Sequence, residues 1–173
     1  NGKNVGIEYN VELVKYMIKD AGFGRADQGG VDIIALDNEP MLYRSTHRDM
    51  FCKGFTNDGY WARTKKYAEL IHQADPSVKI AAPSLWGWTA YTYSSGDQDY
   101  LEEHGISWEE ADKLPDFGKY GPFARDFMRR CAEYKKKTGR DLIDIFSFHG
   151  YPMTPELEGD QAKFVHPTPE LQE

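Results

Sequence analysis

Three short apolar runs rich in β-branched residues, Val31 to Leu36, Val78 to Ala82 and Leu142 to Phe148, alternate along the chain with three stretches patterned as helices. That alternation limits the fold more than any other feature. Such runs read as strands buried on both faces, as in parallel sheets covered by helices. In the first helical stretch Val11, Val14 and Ile18, with Leu13 and Met17 beside them, keep helical spacing until Gly22 and Gly24 supply a stop. The second is capped by Asn57 or Asp58, holds Trp61, Ala68 and Ile71 near one face, and closes at Asp75-Pro76. The third, roughly Gly121 to Lys137, repeats Phe123, Phe127 and Cys131 every fourth residue and ends before Gly139. Helix and strand in turn imply parallel β/α units with right-handed crossovers. Pro83 to Pro115 reads as a long aromatic loop, with a helical turn at Ser107 to Lys113 where Ser107 and Glu110 fit a capping box. Loops of that length are usually functional.

Three strands cannot close a barrel. A complete (β/α)8 barrel takes roughly 250 residues, and this chain has 173. It is therefore either a small open α/β domain or the middle of a barrel. An open sheet usually brings a nucleotide, but the glycine-rich stretch from Gly22 to Gly30 precedes a strand instead of linking a strand to a helix. Walker A, GxSxG and HExxH sequences do not occur.

A net charge of -7 argues against nucleic acid or an anionic membrane as partner, since both select a basic footprint. A neutral polymer is indifferent to that charge. Lys135-Lys136-Lys137 with Arg140 falls at a helix C-terminus, where cations suit the helix dipole. Cys52 and Cys131 form no CxxC pair, and the five histidines show no metal-ligand spacing. No apolar stretch is long enough to span a bilayer, and Asn1-Gly2-Lys3-Asn4 reads as the continuation of a longer polypeptide.

Chemistry-bearing residues collect at the strand ends. The first run stops at Asp37-Asn38-Glu39-Pro40, where proline ends the ladder and is expected to hold Glu39 extended at the C-terminal end of a strand. The second opens into Pro83-Ser84-Leu85-Trp86-Gly87-Trp88, and the third into His149-Gly150-Tyr151-Pro152. In parallel β/α proteins these ends converge on one face, the face that carries the chemistry of barrel enzymes. Tryptophans near a carboxylic acid suit carbohydrate, because sugar rings stack on indole while their hydroxyls bond to Asn, His and Tyr. Trp86 and Trp88 are equally compatible with core packing, His149 with a structural histidine, and Tyr91 and Tyr93 with loop anchors. His47, after Ser45-Thr46, is placed to brace the first loop.

Taken in order, Leu36-Asp37-Asn38-Glu39-Pro40, Ser45-Thr46-His47, Asp75-Pro76, Pro83 with Trp86-Gly87-Trp88, and Asp144-Ile145 with His149 and Tyr151-Pro152 resemble glycoside hydrolase family 44. The resemblance runs from about Tyr9 to Pro152. It implies a partial (β/α)8 TIM barrel, from the third helix through the sixth strand, with residues 1–173 as one fragment of a single catalytic domain. Implied too are a secreted, cofactor-free endo-β-1,4-glucanase or xyloglucanase and a β-linked polysaccharide substrate. Glu39 matches the general acid/base and Asn38 the neighbour that binds the sugar 2-hydroxyl, with Trp86, Trp88, His149 and Tyr151 as substrate-binding candidates. Two positions depart from the family pattern: Gly150 stands where a tryptophan is usual, and Tyr43-Arg44 replaces Trp-His.

The implied mechanism is retaining hydrolysis by two carboxyl groups about 5 to 5.5 Å apart. The family's nucleophile ends the seventh strand, which places it outside this chain. Glu156, Glu158, Glu170 and Glu173 have no strand before them and are not assigned that part. The alternatives are a relative of the same clan acting on mannan or xylan, and a non-catalytic α/β binding domain, carbohydrate- or nucleotide-directed. A carbohydrate-binding module would keep the tryptophans without needing a strand-end Asn-Glu-Pro.

Overall fold

A computed structural model describes residues 6–150. Tyr151, Pro152, Glu156, Glu158, Glu170 and Glu173 lie outside the described residues. The order is α1 (Glu8–Lys19), β1 (Ile33–Ala35), α2 (Tyr43–Thr46), α3 (Asn57–Ala74), β2 (Lys79–Leu85), α4 (Trp88–Thr92), α5 (Ser95–His104), α6 (Phe117–Tyr120), α7 (Phe123–Thr138) and β3 (Ile145–Phe148). Single 3-10 turns occupy Ala26–Gln28 and Pro40–Leu42, and a longer one Trp108–Lys113.

The strands form a parallel sheet in the order β1-β2-β3, with Ile34 opposite Ile80 and Ala82 opposite Phe146. Parallel order is what long helical crossovers impose. Burial on both faces holds only for the middle strand, where Ile80, Ala81 and Ala82 are all buried. On β1, Ile34 packs against the helices while Ile33 is half exposed, because the described helices cover one face of the sheet.

The core divides by chemistry. Toward the strand starts, Val14 of α1 and Ala68 and Ile71 of α3 meet Val78, Ile80 and Leu142 in an aliphatic cluster. Toward the strand ends, Met41, Tyr60, Ala82, Leu85, Ala90, Phe123 and Phe127 form an aromatic one. There the rings run in contact from Phe55 to Tyr60, Phe123, Phe127, Phe146 and Phe148, with successive centroids 5.6–6.3 Å apart. Apart from the stacked Phe123–Phe127 pair they are tilted or edge-on, arrangements the ring quadrupole favours. The four-residue repeat of Phe123, Phe127 and Cys131 is the α7 face that supplies this layer, Cys131 lying partly buried at its margin.

Several boundaries differ from those expected. Thr56 caps α3, its hydroxyl accepting from the Gly59 amide at 3.0 Å. Asn57 is instead buried, giving its side-chain amide to Asp126 and its backbone amide to Asp116. Ser107 makes no side-chain cap; its carbonyl accepts from Glu110 N while its own backbone bonds to the Glu110 carboxylate, one half of the expected box. The stretch expected as a long loop is mostly helical. Ser94 caps α5 by accepting from Asp97 N, and Gly105, at φ +62°, ends it in the left-handed conformation glycine tolerates best. Buried Asp97 accepts from the amides of Asp116 and Phe117, and Asp116 accepts from the Ser94 hydroxyl. This knot fastens the segment after β2 against the start of α3.

Phe127 touches four rings, those of Tyr60, Trp61, Phe123 and Phe146. Phe127→Ala is therefore expected to cost about 3–5 kcal/mol, read as a lowered midpoint in urea titration; a loss within about 0.5 kcal/mol, the level of an ordinary surface change, would show that the aromatic layer carries little of the stability.

Candidate active site

The site is organised by the end of β2. Pairing with β3 is regular as far as Pro83 and resumes at Leu85, which lies opposite Phe148. Ser84 is the extra residue and sits at φ +54°. Such an insertion leaves a backbone amide without a ladder partner. The Ser147 hydroxyl takes that place, accepting from Ser84 N at 3.0 Å and lying 2.9 Å from the Ser84 hydroxyl. The carbonyls of Ser84 and Leu85 then serve opposite neighbours. Ser84 O accepts from Glu39 N at 3.0 Å, and Leu85 O accepts from His149 N at 2.8 Å.

Glu39 and His149, 110 residues apart in the chain, thereby meet across the middle strand, with Nδ1 of His149 2.6 Å from Oε1 of Glu39. Histidine donates when the carboxylate is ionised, and the carboxyl donates when it holds the proton. Both side chains stay partly accessible, 22% for Glu39 and 32% for His149.

Glu39 is not extended as Pro40 leads one to expect; it adopts φ 54°, ψ 49°. A left-handed glutamate is uncommon and costs on the order of 1–3 kcal/mol. Opposing this are the Ser84 bond to its amide and the Leu42 amide donated to its carbonyl at 2.9 Å, which opens the 3-10 turn. The sharp reversal directs the chain from the sheet into Pro40 and Met41, both buried.

Asp37 and Asn38 support this corner. Asp37 Oδ1 accepts from Asn38 N at 2.7 Å and from the Tyr43 hydroxyl, while Asn38 itself is exposed. Burial, then the Asp37 carboxylate, pushes the Tyr43 phenol upward, so it stays a protonated donor. His47 packs edge-on against Tyr43 with centroids 4.8 Å apart. Arg44 ion-pairs with Asp99 and Glu102 of α5, tying the first strand-end loop to the second helix after β2. A cleft of about 190 Å3 beside this corner is lined by Asp37, Tyr43, Arg63 and Tyr67, among others, and not by Glu39.

The aromatic candidates separate. Trp88, first residue of α4, is 62% exposed, whereas Trp86 packs against the aromatic cluster. Tyr93 is buried beside Trp108 and Phe117. Tyr91 packs edge-on against Phe148 and donates its hydroxyl to the carbonyl of His149. Both tyrosines are anchors in this structure. A Cβ added at Gly150 would meet open space. Asn38, Glu39, Trp86, Trp88 and His149 all fall at strand ends; Tyr151 lies outside the described residues. Sequence reasoning missed the Ser84–Ser147 pair, the Tyr43–Asp37 bond and the Arg44 ion pairs. Their partners are far apart or on loops, and no spacing announces them.

Among the described residues no group of three or more His, Cys, Asp or Glu is arranged to hold a metal ion, and no helix is long and apolar enough to cross a membrane.

Comparison with known proteins agrees on one relationship. Endoglucanase A of Paenibacillus lautus is 24% identical over 163 residues, 94% of this chain but 21% of that protein. The solved structure of CelM2, a bifunctional glucanase-xylanase from a metagenome library, is 32% identical with a TM-score of 0.79, covering 89% of this chain and 29% of its own. A Paenibacillus polymyxa xyloglucanase of family 44, solved with xyloglucan, shares the fold at 22% identity and a TM-score of 0.65, over 88% of this chain and 29% of that one. This chain therefore spans between about a fifth and a third of the length of these relatives. Residues 1–154 match the profile of glycoside hydrolase family 44, and the chain belongs to that family.

Proposed function

We propose that this chain is the acid/base-bearing part of a retaining, endo-acting β-1,4-glucanase. The observation that carries this reading is the strand-end Glu39 held 2.6 Å from His149, in a chain matched to family 44 over residues 1–154. In this reading β1, β2 and β3 are consecutive strands of a (β/α)8 barrel, and the partly exposed sheet face around Ile33 looks toward the barrel axis.

Glu39 protonates the departing glycosidic oxygen while a second carboxylate, carried on a strand beyond the three described and about 5 to 5.5 Å from the Glu39 carboxyl, attacks the anomeric carbon. Water then releases the sugar from the glycosyl-enzyme, with Glu39 as base. His149 holds one carboxyl oxygen, which restricts the acid's rotation toward the leaving group. Asn38 binds the 2-hydroxyl of the sugar being cleaved, and Trp88 offers an indole face for stacking. Trp86 lines the wall behind it, and Tyr151, outside the described residues, is a further substrate-binding candidate. The substrate is a β-linked polysaccharide such as cellulose, carboxymethyl-cellulose or xyloglucan, which a secreted enzyme would meet outside the cell. No cofactor takes part. A second reading, action on xylan as well, draws on the bifunctional glucanase-xylanase CelM2.

In the complete catalytic domain, Glu39→Gln should lower hydrolysis of unactivated β-1,4-glucan by about 10²-fold or more. The first step on a dinitrophenyl glycoside should be spared, because such a leaving group needs little protonation. Near-normal glucan turnover would rule out the assignment.

Trp88→Ala should weaken cello-oligosaccharide binding roughly tenfold, a loss of about 1.4 kcal/mol, with a melting temperature close to that of the parent. Trp86→Ala should instead cost about 3 kcal/mol of stability, the low end for truncating a large packed aromatic. Titration calorimetry and urea unfolding separate the two, and unchanged affinity in Trp88→Ala would remove that residue from the substrate platform.

The 173-residue chain alone is expected to show no glycosidase activity and to self-associate through its open strand edges. Assay against carboxymethyl-cellulose, xyloglucan and mannan beside its Glu39→Gln variant decides this. Activity that vanishes with Glu39 would mean that the chain supplies its own second carboxylate, with Glu156 and Glu158 the first to test.

A further inference from the structure

α4 is a five-residue helix that begins at Trp88 and ends at Thr92. Its Ala90 is fully buried in the aromatic cluster. Trp88 faces solvent, while Tyr91 reaches the other way to the end of β3. The Tyr91 ring stands at 85° to that of Phe148 with centroids 5.8 Å apart, and its hydroxyl donates to the His149 carbonyl.

His149 is consequently held at both ends of its own backbone. Its amide donates to Leu85 O at 2.8 Å, a bond made by the sheet. Its carbonyl, one residue beyond β3 and so past the ladder, is held by a side chain from another loop. With both peptide planes fixed, the Cα–Cβ direction is fixed, and the imidazole approaches Glu39 from one side only. A backbone pinned at its amide alone can pivot about that bond. A displacement of about 1 Å in a reacting group can cost 10²-fold in rate.

We propose that Tyr91 is a positioning residue for the acid/base: its hydroxyl anchors the His149 main chain so that Nδ1 is presented to the Glu39 carboxyl. The proposal rests on the reading of Glu39 as general acid/base given above. It also places the sugar-facing Trp88 and the histidine anchor on one short helix, so a sugar stacked on Trp88 loads the same turn that holds His149. Tyr91 touches neither the sugar nor the transferred proton in this role.

Tyr91→Phe isolates the hydroxyl, because the ring that packs on Phe148 remains. In the complete catalytic domain, kcat/KM is measured for a series of aryl β-cellobiosides with leaving groups of graded acidity and for cellotetraose. The expected result is a roughly tenfold loss on cellotetraose and the poorest leaving groups, none on the dinitrophenyl substrate, and KM within twofold. A role in stability alone lowers all substrates alike or none, and either pattern overturns the proposal. Glu39→Gln is run beside it: if that variant also shows no dependence on leaving group, the general-acid assignment is what has failed.

A second measurement does not depend on turnover. The imidazole nitrogen resonances of His149 are compared between the parent and Tyr91→Phe, with identity fixed by a His149→Gln spectrum. A shifted or broadened Nδ1 signal, at a melting temperature within a few degrees of the parent, supports the anchor; an unchanged imidazole spectrum overturns it, whatever the activity.

Discussion

Two successive carbonyls at the end of the middle strand hold the candidate site of this protein together. Ser84 O takes the amide of Glu39 from one neighbour and Leu85 O takes that of His149 from the other. A regular parallel ladder directs adjacent carbonyls to opposite sides, so the residues they bind would ordinarily lie apart on different strands. The irregularity at Ser84 changes the spacing at the point where the strands end, and the Ser147 hydroxyl satisfies the amide that this irregularity frees. The carboxyl–imidazole contact is therefore a consequence of backbone geometry completed by a serine pair. The side chains themselves supply only the last bond.

The surrounding segments are fixed mainly by carboxylates that accept backbone amides. Asp97 holds Asp116 and Phe117, Asp116 holds Asn57, Asp37 holds Asn38, and Asp75 holds Ala26 and Ser77. Charge-assisted bonds of this kind are shorter and stronger than neutral ones. For Asp75, burial alone would raise the carboxyl. The Ser77 hydroxyl and the Ala26 and Ser77 amides outweigh it, and the net shift is downward. Stability from that bond set is present above the ordinary aspartate range and fades as pH falls through the lowered value. An acidic chain thus spends part of its negative charge on internal fastening.

Apolar runs that stop abruptly made the strand ends legible in sequence: Leu36 before Asp37, and Phe148 before His149. Parallel topology then brings those ends to one face without any knowledge of the contact between Glu39 and His149. Helices with a periodic face, such as the one carrying Phe123 and Phe127, were legible for the same reason. The region after β2 was not, although Ser94 followed by Asp97, and Gly105 ten residues after the start of α5, carried the signs of a capped helix. Its aromatic density hid them, because Tyr91, Tyr93 and Trp108 look alike in a string whether they face solvent or anchor a loop. The left-handed turn at Glu39 was illegible for a different reason. It contradicts the local preference set by Pro40 and is imposed by bonds from Ser84 and Leu42.

That contradiction has a bearing on how the protein tolerates change. Position 39 carries a backbone conformation in which glycine or asparagine would sit with less strain than glutamate. Replacements there can relieve the main chain while removing the carboxyl. A search for sturdier variants guided by folding alone would therefore drift away from the carboxyl at this position, and, on the proposed reading of Glu39 as general acid, only a screen that also demands bond cleavage would keep it.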